Sequence, residues 1–341
     1  MKPILFPLLF AILVGLTACN DDSKTELSSS DTTTEAGWPR TIETVKGPIE
    51  IAHPPKRIVS TSVTLTGTLL TIHAPLIASS ATRHMTNVTD DLGFFTQWSK
   101  IAQEKNVKPL YQGEVNVEAV LSQSPDLIIV SATGGDSALK AYEQLSQIAP
   151  TLVVNYDDKS WEDLAIFLGK ATGHEADANT AVTAFQTELN AVKSRIQLPA
   201  EPVSAMVYYE DNSGANLWTK DSAQGQLLTK LGFQLAEFPA SLAGQSAALG
   251  RKDIIPVSGE RFAESLTGKS LMLFSADATT AEKVKHNSFL AKHPAIKADR
   301  VYPLGIDTFR LDYYSATNLL HRVDQLFSGS PSKSATGGEG S

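Results

Sequence analysis

Two tyrosine pairs, Tyr208-Tyr209 and Tyr313-Tyr314, have the side chains most suited to metal chemistry, because phenolate oxygen is a hard ligand for Fe(III). Their spacing argues against a shared site. Tyr208-Tyr209 ends a run of strand composition, where neighbouring side chains point to opposite faces, so at most one of the two reaches a given site. Tyr313-Tyr314 opens a helical run, on which the two rings diverge by about 100°. The seven histidines, His53, His73, His84, His174, His286, His293 and His321, include no pair at the i, i+4 spacing that sets two on one helix face, so no zinc site is expected. Gly244-Gln245-Ser246-Ala247-Ala248 lacks the closing glycine of a nucleophile elbow, and no strand leads into it. Gly135-Asp136-Ser137 follows a strand-like run and reads as a helix start, with Asp136 or Ser137 accepting from first-turn amides that are also able to hold an anion. Neither glycine-rich phosphate loop, G-x-x-x-x-G-K-S/T or G-x-G-x-x-G, occurs. None of these residues forms a catalytic motif or a metal-ligand set, so neither an enzyme nor a resident cofactor or metal is expected. An α/β hydrolase acting through Ser137 or Ser246 is the catalytic alternative.

Composition narrows the partners. A formal charge of -8 gives no general attraction to nucleic acid or anionic lipid, so an anionic partner must be met by a local basic site. Residues 4–16 form the one long apolar stretch, shorter than the ~20 residues of a spanning helix. Lys2, this stretch and Leu16-Thr17-Ala18-Cys19 together read as a lipoprotein signal, residues 1–19, with lipid attached to Cys19 after cleavage. Cys19 is the only cysteine, so packing alone must hold the body, without a disulfide. Residues 20–37, rich in Asp, Ser, Thr and Glu, read as a disordered tether reaching on the order of 25 Å from the membrane. Residues 328–341 read as a disordered tail. The expected location is extracytoplasmic, periplasmic in a two-membrane envelope, and tethered.

The elements that must position any site lie between Trp38 and Phe327. A length of 341 residues suggests two domains. Short β-branched runs at 57–60, 76–79, 126–130, 151–155, 203–209, 270–274 and 300–304 alternate with helical stretches, the pattern of α/β layering with parallel strands. From 175 to 196 there is no Pro or Gly, and Val182, Phe185, Leu189, Val192 and Ile196 form one apolar stripe. This predicts a single helix of roughly 33 Å, closed by Pro199 and Pro202, running beside two lobes. The expected fold is α/β and bilobed, two doubly wound lobes joined by one long helix. Its divisions are a first lobe at 38–160, a helical linker at 161–202 and a second lobe at 203–327, with a cleft between the lobes as the place for a ligand.

Five stretches carry a resemblance to a known family. Arg57-Ile-Val-Ser-Thr-Ser-Val-Thr-Leu-Thr-Gly67, Ser131-Ala-Thr-Gly-Gly-Asp-Ser137, Asn155-Tyr-Asp-Asp-Lys-Ser-Trp161, Leu217-Trp-Thr219 with Ala223-Gln-Gly-Gln226, and Thr308-Phe-Arg-Leu-Asp-Tyr-Tyr-Ser315 resemble the periplasmic ferric-enterobactin-binding proteins. These are substrate-binding components of ATP-driven importers for ferric siderophores and cobalamin. The resemblance implies capture of a catecholate iron chelate, a trianion with flat aromatic faces whose iron is already fully coordinated. Such a ligand needs cations and rings, for which arginine suits best, being always charged and able to stack. Arg310 lies in a matching motif, Arg83 follows the run at 76–79, and Trp218 is placed to stack on a catechol. Arg251, with Lys252 beside it, follows a glycine-rich loop, and Tyr209 and Ser62 complete the candidate contacts. Ser62 or its neighbours Thr61 and Thr64 equally suit an N-cap of the helix after 57–60.

The resemblance also implies docking of a carboxylate from each lobe onto arginines of the importer's permease, with Glu114 and Glu260 at the matching positions. Two departures stand out. A lipid-anchored Cys19 differs from members that are free in the periplasm, and residues 83–91 match less well, which leaves the choice among catecholates open. The alternatives on the same scaffold are a direct ferric-ion binder using one tyrosine of each pair, and a cobalamin or haem receptor.

Overall fold

Runs of Ile, Val and Leu buried on both faces build the first sheet: Ile58, Val59, Leu127, Ile128, Ile129, Leu152 and Val153 are almost fully enclosed. Such two-sided burial is the environment of parallel strands covered by helices. The computed structural model describes residues 37–329 apart from 85–87, 210, 212 and 243–247, and of residue 260 only the backbone. The signal segment with Cys19, the tether up to residue 36, the tail from 330 and Ser246 lie outside the described residues.

A short antiparallel pair, β1 (Arg40–Ile42) and β2 (Ile49–Ile51), precedes the first lobe. The first sheet then comprises β3 (Ile58–Ser60), β4 (Leu76–Ala81), β5 (Lys108–Gln112), β6 (Leu127–Ser131) and β7 (Thr151–Val154). Its order is β5-β4-β3-β6-β7 and every pair is parallel. The chain winds from β3 towards one edge, returns, and winds from β6 towards the other. The loops after β3 and β6 therefore part at the carboxyl ends of adjacent strands, the switch point where open α/β sheets hold ligands.

The second sheet contains β8 (Val203–Tyr208), β9 (Gly214–Trp218), β10 (Ile254–Ser258), β11 (Ser270–Phe274) and β12 (Val301–Pro303), ordered β10-β9-β8-β11-β12. Only β8, β11 and β12 are parallel neighbours, while β8-β9 and β9-β10 are antiparallel. An all-parallel second lobe is thus corrected to a mixed sheet. The missed strands explain themselves: β5 carries Lys108 and Pro109, and β9 starts at glycine and carries Asn216, so neither shows a β-branched run.

A helix at Glu175–Arg195 joins the lobes. Acidic Glu175 and Asp177 occupy its first turn and basic Lys193 and Arg195 its last, each sign complementing the helix dipole. It packs against the first-lobe helix Trp161–Thr172 and against the second-lobe helices Ala223–Leu231 and Tyr313–Phe327. Phe185, Leu189 and Val192 are buried as the stripe predicts, whereas Ile196 has already left the helix in extended conformation. The ring of Trp161 lies edge-on between Phe185 at 4.9 Å and Tyr313 at 5.4 Å, tying spine to both lobes. Lys252 to Asp158, at 2.7 Å, and Lys230 to Glu162, at 2.9 Å, pair second-lobe cations with first-lobe carboxylates. Among the described residues no helix is long and apolar enough to cross a membrane.

Candidate functional site

Strand carboxyl ends of both sheets open onto one cavity of about 760 Å³. From the first lobe come Thr61, Val63 and Thr64 after β3, Thr82, Arg83 and His84 after β4, and Gly135 to Ala138 after β6. The second lobe contributes Val207 and Tyr208 of β8, Ser275 after β11, and Phe309 and Arg310. Phe95, Val88 and Tyr111 add apolar and aromatic wall.

Among the described residues Arg310 has no counter-ion. Its guanidinium lies 4.4 Å from the centroid of the Phe309 ring and 5.7 Å from that of Tyr156, within cation–π range of both. The loop beneath is fixed by a buried glutamine: Gln224 Nε2 donates to the carbonyls of Thr308 at 3.3 Å and Phe309 at 2.8 Å. Ser315 Oγ donates to the Arg310 carbonyl at 2.9 Å. Arg83 is exposed at the opposite wall. Among the described residues no carboxylate pairs with either guanidinium, so both keep their charge and donors for an occupant.

Asp136 organises the floor. The N-cap position of the helix Val63–Thr71 is Ser62, but its side chain makes no cap bond. Ser62 Oγ instead donates to Asp136 Oδ2 at 2.6 Å, and the Thr64 amide donates to the same oxygen at 3.0 Å. Of the two expected caps of its own segment, Ser137 accepts from the Leu139 amide at 3.3 Å, whereas Asp136 caps the helix of the neighbouring strand. Tyr156 donates its hydroxyl to Asp136 Oδ1 at 3.2 Å. Burial pushes the Tyr156 phenol up to about 12, against the opposing pull of Arg310, so it stays a proton donor. Gly134, at φ 90°, makes room for it: a Cβ there would stand 1.7 Å from the Tyr156 hydroxyl.

The remaining candidates are placed differently. Ser62 is fully buried under the cavity floor, committed to Asp136, and does not line the cavity. Trp218 is 3% exposed and packs on Phe274 and Phe309, so it backs the ring beside Arg310 and does not reach the main cavity. Arg251 is tied to Asp253 by a bidentate pair, which cancels its charge locally, and it borders a separate groove with Lys252. Tyr209 donates to Asn216 Oδ1 at 3.0 Å and misses the cavity, while Tyr208 lines it; strand parity allowed one of the two. Tyr313 packs on Trp161 and Tyr314, so the two tyrosine pairs do not converge on an iron site. Among the described residues no cluster of three or more His, Cys, Asp or Glu is set to hold a metal. Ser137 Oγ donates to the Ser131 carbonyl at 2.7 Å. Glu114 is exposed on the loop after β5, and Glu260 begins the helix Glu260–Ser265 after β10, its side chain lying outside the described residues. Phe309, His84 and the Asp136–Tyr156 bond were not foreseen as parts of the cavity because each depends on segments brought together from distant sequence, while Tyr208, foreseen only as a candidate iron ligand, lines it on strand β8.

Comparison with known proteins agrees with this architecture. The pattern of the periplasmic binding protein family matches residues 58–308. The ferric enterobactin-binding periplasmic protein FepB of Escherichia coli is 52% identical over 292 residues, covering 86% of this chain and 92% of its own. The crystal structure of holo-ViuP superposes with a TM-score of 0.79 at 35% identity, over 86% of this chain and 96% of its own. The triscatecholate siderophore binding protein FeuA of Bacillus subtilis, complexed with ferri-bacillibactin, shares the fold with a TM-score of 0.62 at 16% identity, over 84% and 97% of the two chains. Two parallel-cored lobes on a helical spine, the match along most of the body and the shared half of its residues establish that this chain belongs to the periplasmic binding protein family.

Proposed function

We propose that this chain captures a ferric catecholate siderophore of the ferric-enterobactin kind in the interlobe cavity and delivers it to the permease of an ATP-driven importer. The observation that carries this reading is the pair of guanidiniums without a carboxylate partner among the described residues, Arg83 and Arg310, facing one large cavity whose other walls mix hydroxyl side chains with apolar and aromatic ones. A trianionic chelate with catechol faces matches both features, and its iron needs no protein ligand. The identity with FepB supports the same ligand class. On this reading the protein performs no catalysis and holds no cofactor; the ferric chelate is cargo.

Charge discrimination tests it. Titration with ferric enterobactin, cyanocobalamin and ferric citrate is expected to give tight binding of the catecholate alone, weakening with salt because the guanidiniums act through charge. Preference for cobalamin, or for iron supplied as citrate, overturns the reading. Docking falls to Glu114 and Glu260, one on each lobe, and reversal of both charges is expected to abolish uptake with chelate binding intact. Lipid on Cys19 would hold the body at the membrane on the extracytoplasmic side, checked by the mass of the mature N-terminus from native membranes.

A further inference from the structure

His84 follows Arg83 on the loop leaving β4 and lines the same cavity. Its ring is held from one side, with Nδ1 3.1 Å from the Asp90 carbonyl oxygen. A carbonyl only accepts, so Nδ1 carries the hydrogen. The acceptor is fixed in turn. The Asp90 amide donates to the Phe94 carbonyl at 2.8 Å. Its carboxylate accepts from the amides of Leu92 and Phe94 at 3.0 and 2.9 Å and from Gln103 Nε2 at 3.1 Å. The strand end below is clamped by the Thr82 amide donating to the Gly93 carbonyl at 3.0 Å.

With Nδ1 committed, the polar atom left on the ring is Nε2. It is a bare lone pair when the imidazole is neutral and a donor when it is charged. The charged groups sharing its cavity are the cations Arg83 and Arg310 and the carboxylate of Asp136; the phenols are Tyr111 and Tyr208. Asp136 is spent on Ser62, Thr64 and Tyr156, and Asp90 turns its carboxylate into its own loop, so neither offers His84 a partner. An ordinary imidazole is mostly neutral at pH 7.5, and a trianion arriving beside one favours its charged form.

We propose that His84 is the third cationic contact of the site: binding of the anionic chelate draws one proton from solvent onto Nε2, which then donates to a catecholate oxygen. The inference rests on the chelate reading above. The proton comes from the buffer acid, and no other bond changes.

Calorimetric titration of the full chain with ferric enterobactin at pH 7.5, in phosphate and in Tris, reads the proton directly from the difference in apparent enthalpy. The expected result is uptake of roughly half a proton or more per chelate, with affinity rising several-fold as pH falls from about 8 to about 6.5. His84→Gln, which keeps a neutral donor at an exposed position, is expected to lose both the uptake and the pH dependence at an unchanged thermal midpoint. Undiminished uptake in His84→Gln, or none in the unaltered protein while the chelate still binds, overturns this inference alone. Failure of the chelate to bind in either buffer overturns the chelate reading and this one with it.

Discussion

Arg310 works because three neighbours remove its alternatives. Phe309 and Tyr156 offer π-faces that leave every N–H available, and Gln224 fixes the carbonyls on either side of the Phe309 ring. Lysine would keep the charge but not the planar fork or the stacking, so Arg310→Lys is expected to weaken chelate binding several-fold without altering stability. Equal affinity of the lysine variant in a direct titration would show that charge alone suffices. Arg310 could be singled out from its motif and Arg83 from its place after the strand-like run at 76–79, and both line the cavity. Trp218 misled because an aromatic residue in such a motif suits a ligand wall as well as a core, and here it supports Phe309 from behind. Ser62 misled because its partner, Asp136, lies 74 positions away and reaches it only when β3 and β6 pair.

At the scale of elements, the spine and the last helix carry the main stability predictions. Phe185 is buried where the spine meets Trp161, so Phe185→Ala is expected to cost about 3–5 kcal/mol, read from denaturant unfolding. A loss under 1 kcal/mol would mean that the contact is not part of the cooperative core. Asp312 caps the helix Tyr313–Phe327 through a reciprocal box with Ser315, and it presses on Gly67, where a Cβ would stand 2.3 Å from its carboxylate oxygen. Burial pushes the Asp312 carboxyl up to about 6, above the ~4 of an unfolded chain. The folded state therefore holds this proton more tightly, and the group lowers stability as pH rises from about 4 to about 6, by on the order of 2–3 kcal/mol. Asp312→Asn, which can still cap, is expected to gain about that much relative to the unaltered protein between pH 4.5 and 7. A constant difference across that range would remove Asp312 from the pH response. The spine was readable from its uninterrupted stripe, while β9 and β10 were not, because antiparallel strands with Gly, Asn and Pro carry little periodic signal.

The whole molecule is two sheets whose strand ends line one cavity, joined by one long helix that packs against both lobes. Sequence pattern showed the layering and the spine; the cavity lining needed the folded chain, since its residues come from the ends of β3, β4, β5, β6, β8 and β11 together with Phe309 and Arg310. Across the lobes, Lys252 pairs with Asp158 while 60% of its side chain remains exposed, so the contact is modest. Lys252→Ala is expected to speed chelate release about two- to fivefold with little change in association, measured by stopped-flow displacement. An unchanged release rate would mean that this pair does not hold the lobes. The central claim, that the Arg83 and Arg310 guanidiniums hold an anionic aromatic chelate, is tested most directly by titrating tryptophan emission with ferric enterobactin in the unaltered protein, Arg83→Ala, Arg310→Ala and the double variant. Each single variant is expected to bind about 10- to 100-fold more weakly and the double variant more weakly still, all with unchanged thermal midpoints. Full affinity in the double variant would contradict it.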